Sequence, residues 1–73
     1  PLYAAGLTRR EDQILAEIAA GRTNAEIASH IGVSVRTVHK HLEHMYPKLG
    51  VHDRTAAATR WLDERGPAAP SNR

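Results

Sequence analysis

Residues 23–50, TNAEIASHIGVSVRTVHKHLEHMYPKLG, contain two helix signals separated by a glycine turn and a capping serine. Thr23 followed three residues later by Glu26 is a capping box, and Ile27, Ala28 and Ile31 then share one helical face until Gly32 stops the helix. Ser34 is a favoured N-cap for a second helix, in which Val38, Leu42, Met45 and Leu49 recur at steps of four, three and four. At about 100° of rotation per residue, that stripe leaves Arg36, Lys40 and Glu43 on the opposite side and His39 and His44 on its flanks. A short helix, a glycine turn and a longer helix with a polar, mostly basic outer face form a helix-turn-helix. Its second helix is expected in the major groove of DNA.

The flanking residues read as the scaffold for this pair. Thr8 and Glu11 form another capping box, Leu7 is placed for a hydrophobic staple, and Ile14, Leu15, Ile18 and Ala19 line the buried side of a first helix ended by Gly21. Asp53 caps a fourth helix, on which Arg54, Ala57, Ala58 and Trp61 share a face before Gly66 and Pro67 end it. Trp61 is expected in the core. No strand pattern or repeat occurs. The fold expected is all-α, a four-helix domain over residues 7–66, with residues 1–6 as the end of a linker and 67–73 as a disordered tail. Leu2 and Tyr3 are candidates to pack back on the domain.

Seventy-three residues allow one modest core, and with no cysteine the chain has no disulfide to brace it, so helix packing must suffice. Ten lysines and arginines against eight acids permit nucleic-acid binding without demanding it. No apolar run approaches the roughly 18 residues of a membrane span, which points to a cytoplasmic location and no membrane partner. Proline inside a helix lacks an N–H and crowds a carbonyl, so the third helix is expected to kink or end near Pro47, with Tyr46 in its last regular turn.

The segments LTRRE at 7–11, AAGRTNAEIASHIGVSVRTVHKHLEHM from Ala19 and KLGVHDRTAA from Lys48 resemble the LuxR/FixJ/NarL-type helix-turn-helix domain of bacterial transcription regulators. The likeness covers about residues 7–62, and it implies a LuxR-type C-terminal effector domain whose third helix, about 35–46, reads the groove. Carried across residue by residue, it implies base reading by His39, Lys40 and Glu43, and phosphate contacts from Thr23 or Asn24, Arg36, Thr37 and Lys48. It further implies a homodimer on double-stranded DNA with two half-sites, paired through the fourth helix, where Ala56, Thr59 and Asp63 lie away from Ala57 and Trp61. An upstream receiver or sensor domain is a further implied partner. His39 departs from the family's usual lysine, and an imidazole makes that contact sensitive to pH where lysine would not be.

Other readings are weaker. His39, His41 and His44 have the spacing H-x-H-x-x-H, but positions 39 and 41 sit roughly 200° apart on a helix and cannot close on one metal ion. No metal or cofactor is expected. Four short helices without a paired nucleophile and base do not suggest an enzyme. The alternative is a helical protein–protein interaction module without DNA affinity.

Overall fold

The computed structural model describes residues 6–65 and consists of four helices: α1 (Arg9–Ala19), α2 (Asn24–Ile31), α3 (Val35–Leu49) and α4 (Arg54–Arg65). Every start carries a side-chain cap. Thr8 Oγ1 accepts from the Glu11 amide while Glu11 Oε1 accepts from the Thr8 amide, and Thr23 and Glu26 repeat the same reciprocal pair. Ser34 Oγ accepts from the Thr37 amide and Asp53 Oδ1 from the Ala56 amide. The first three helices close through an amide bonded five residues back: Arg22 to Glu17, Val33 to Ala28 and Val51 to Tyr46. Gly32 makes the tight turn between α2 and α3 at φ 74°, a left-handed conformation costly for any residue with a Cβ.

α1 packs chiefly on α4, and α2 on α3. Ile14 and Leu15 of α1, Ile27 of α2, and Val38 and Met45 of α3 are completely enclosed, joined by Leu7, Ile18, Ala28, Leu42, Leu49 and Ala57. Each large side chain contributes roughly 1.5–3 kcal/mol of burial, and a chain this small cannot spare one of them. Leu7 is buried too, although the residue four beyond its neighbouring cap is the polar Asp12. The tertiary core rather than a local apolar staple therefore holds it.

Two expectations need correction. α3 does not end at Tyr46. It continues through Pro47 to Leu49, and the Gly50 amide donates to the Pro47 carbonyl. Pro47 sits in the last turn, so only the Glu43 carbonyl forgoes its donor. Buried Met45 and Leu49 hold the helix on either side. Trp61 is half-buried at the rim of the core, with Ala57 fully enclosed beside it. The expected tail at 67–73, the linker at 1–5 and the packing of Leu2 and Tyr3 lie outside the described residues, as do Gly66 and Pro67.

Candidate nucleic-acid interface

α3 turns its apolar stripe inward, and this orients everything else on it. With Val38, Leu42, Met45 and Leu49 buried, Arg36, His39, Lys40, Glu43 and His44 are all exposed on the outer side. His39, Lys40 and Glu43, expected at the bases, thus share one solvent-facing surface with Arg36, one turn before Lys40. Thr37 is half-buried, its hydroxyl 3.1 Å from Ser34 Oγ. His41 is half-buried on the side towards α1, close enough to Glu11 to favour the ionised carboxylate.

Side-chain pairing decides which cations remain for a ligand. Lys48 Nζ lies 2.7 Å from Glu11 Oε1 and Arg22 Nε 3.2 Å from Glu17 Oε1, a carboxylate that also meets His30 Nδ1 at 2.8 Å. Arg60 donates to the Leu49 carbonyl at 2.8 Å and to Glu64, and Arg10 reaches the Ile31 carbonyl at 3.4 Å. Arg54 donates to Asn24 Oδ1 at 2.7 Å and to the Arg22 carbonyl. Cations at the last carbonyls of α2 and α3 complement the helix dipoles. Among the described side chains, Arg9, Arg36 and Lys40 are the lysines and arginines with no protein partner, and two of these three stand on the outer face of α3.

Lys48 ties α1 to α3, its ammonium being the partner of a carboxylate that is only 4% exposed. Burial alone would raise the Glu11 pKa. The Lys48 hydrogen bond, the Thr8 amide and the charges of Lys48 and His41 outweigh burial and hold it below the usual carboxylate value. Glu11 is therefore more than a cap. At the start of α2, Thr23 is exposed and Asn24 half-buried, one amide oxygen of Asn24 being taken by Arg54. An arginine on the apolar side of α4 was the visible sign that acceptors must surround it.

On α4, Thr59 and Asp63 are exposed and Ala56 is half-buried. Leu62 stands between Thr59 and Asp63 and is 51% exposed, an apolar side chain among the small and polar ones expected there. An open groove at the end of α3, lined by Glu43, Tyr46, Pro47, Gly50, Val51 and His52, holds one carboxylate and one imidazole. Among the described residues, no group of three or more histidines and acids could hold a metal ion, and no helix is long and apolar enough to cross a membrane.

Comparison with known proteins gives a family match over residues 5–61, described as bacterial regulatory proteins, luxR family. The chain is 50% identical over 52 residues to the uncharacterized transcriptional regulatory protein YhcZ of Bacillus subtilis, covering 71% of this chain and 24% of that protein. It is 42% identical over 60 residues to the nitrate/nitrite response regulator protein NarP of Escherichia coli, covering 82% and 28%. With the transcriptional activator protein AnoR of Acinetobacter nosocomialis it shares 48% identity over 54 residues, 74% and 23% of the two chains. The chain thus spans about a quarter of the length of the curated relatives it matches. No solved structure gives a significant match.

Proposed function

This chain belongs to the luxR family of bacterial regulatory proteins, DNA-binding transcription regulators that are not enzymes, and from that premise we propose that it reads a specific duplex sequence with α3 in the major groove. The observation that carries the reading is the pairing pattern. Five of the described cationic side chains are engaged within the protein, whereas Arg36 and Lys40 stand unpartnered beside His39, Glu43 and His44. A helix is the element the major groove admits.

In this reading Lys40 and His39 donate to guanine N7 or O6. Glu43, which can only accept while ionised, selects a base with an exocyclic amine, cytosine or adenine. Arg36 and Thr37 at the start of α3, and Thr23 and Asn24 at the start of α2, hold the flanking phosphates, aided by the amides of those first turns. Lys48, tied to Glu11, is left out of that set. Two copies pair through α4 at Ala56, Thr59 and Asp63, with Leu62 as the apolar centre, and engage two half-sites. In the whole protein a receiver or sensor domain controls this pairing, as the response-regulator name of one relative suggests. Residues 7–66 are the working domain.

Selection of bound sequences from a random duplex library tests the reading in one run. Enrichment of a motif with two related half-sites is expected. Absence of any enrichment at low salt would favour a protein-binding module instead.

A further inference from the structure

Arg54 opens α4 on the side that faces the protein, where a guanidinium is stable only with acceptors around it. It has two, Asn24 Oδ1 at 2.7 Å and the Arg22 carbonyl. A guanidinium only donates, so the Asn24 atom that faces it must be the oxygen, and the amide NH2 must point away. No buried side-chain nitrogen or oxygen lacks a partner among the described residues, and Nδ2 has no protein acceptor, so Nδ2 reaches solvent. Beside it, Thr23 Oγ1 already accepts from the Glu26 amide, which leaves its own hydrogen to be donated outward. The capping box consumes the amides of Thr23 and Glu26 and leaves those of Asn24 and Ala25 without an intrahelical acceptor.

We propose that Arg54 is a positioning residue for DNA: acting through Asn24, it turns the Asn24 amide NH2 outward as a donor beside the Thr23 hydroxyl and the free amides of Asn24 and Ala25, the state that suits a phosphodiester oxygen. The inference rests on the reading of Thr23 and Asn24 as phosphate contacts and adds the group that orients them. An unrestrained asparagine spends part of its time presenting its oxygen, which a phosphate repels. Arg54 removes that state from one layer behind the contact, so less ordering is left to be done on binding. Its own charge is spent inward and makes no phosphate contact.

Binding of a labelled random-sequence duplex at low salt, measured for the parent, Asn24→Ala, Arg54→Lys and the double variant, forms the test, with thermal melts alongside. Lysine keeps the charge but cannot span both acceptors as the guanidinium fork does. Asn24→Ala and Arg54→Lys should each weaken binding about three- to tenfold, and Arg54→Lys should add almost nothing once Asn24 is alanine. Asn24→Asp keeps the acceptor for Arg54, so it should melt no lower than the parent while binding on the order of tenfold more weakly, its outward donor having become a charged acceptor. Parental affinity for both Asn24 variants would overturn the phosphate reading of α2 and this inference with it. A weakened Asn24→Ala alongside an Arg54→Lys that is harmless, or equally damaging in both backgrounds, would overturn this inference alone. Parental affinity for Asn24→Asp overturns the outward-donor arrangement even where Arg54→Lys fails to fold.

Discussion

Arg36 and Lys40 carry the same charge one turn apart on α3, and neither has a protein partner, but base and backbone contacts respond differently to truncation. Lys40→Ala is expected to cost about 1–3 kcal/mol on the selected operator and clearly less on random duplex. Arg36→Ala should weaken both alike and flatten the dependence of log affinity on log salt by about 0.9. Titration of both duplexes at several salt concentrations separates the two, and equal losses for Lys40→Ala would remove it from the base-reading set. Lys48 calls for a different measurement, because its partner is the buried Glu11. Lys48→Met keeps the stem and removes the charge, at a cost of about 1–3 kcal/mol near neutral pH. A carboxylate with a lowered folded pKa stabilises fully above its unfolded value, and that contribution is lost as pH falls through the folded pKa. Without Lys48, burial loses its main opponent, so the carboxylate contributes less at neutral pH and its protonation takes less away. Denaturant melts should therefore show the gap between parent and variant closing as pH drops from about 7 to about 3. A constant gap would contradict the ion pair.

Two features of α3 and its turn decide how the reading helix is held. Pro47 leaves the Glu43 carbonyl without its helical donor, yet the helix runs on to Leu49. Pro47→Ala restores that bond. Set against the greater freedom it gives the unfolded chain, a net gain of about 1–2 kcal/mol in a denaturant midpoint is expected, with DNA affinity unchanged. A loss of stability would mean that the last turn depends on the proline ring. Gly32 is different, since a Cβ there would meet no atom within 4 Å but would be forced into a positive φ. Gly32→Ala should cost about 1–2 kcal/mol, and Gly32→Asn, which tolerates that region better, distinctly less. Equal costs for the two would point to something other than backbone conformation. The caps of all four helices, and the glycine stops and apolar steps of the first three, were legible because each is a local rule. The length of α3 was not, because the burial of Met45 and Leu49 on other helices outweighs the local preference of Pro47.

The pairing proposed through α4 would rest on a patch too small to act alone. Thr59, Leu62 and Asp63 are exposed on α4 and Ala56 is partly so, and one exposed leucine among small and polar groups does not make a stable dimer in solution. The chain is expected to sediment as a monomer by itself and as two copies on the selected duplex, where the operator supplies the missing proximity. Thr59→Arg should reduce this to one copy per duplex. Two copies retained by that variant would exclude α4 as the contact.

Much of the candidate interface was already determined by the sequence. The stripe at Val38, Leu42, Met45 and Leu49 dictates which side of α3 meets solvent, and so brings His39, Lys40 and Glu43 together whatever the other helices do. What each cation is for depended on distances between residues far apart in the chain. Lys48 and Arg36 look alike as letters near the two ends of one helix, but only the packing of α1 on α3 brings Glu11 to Lys48 and leaves Arg36 alone. Arg54 was readable as an arginine on an apolar face, but its acceptors come from residues 22 and 24, about 30 positions earlier in the chain. Helix periodicity is a short-range property and is written in the sequence. Charge pairing acts across the fold and is decided when the helices dock.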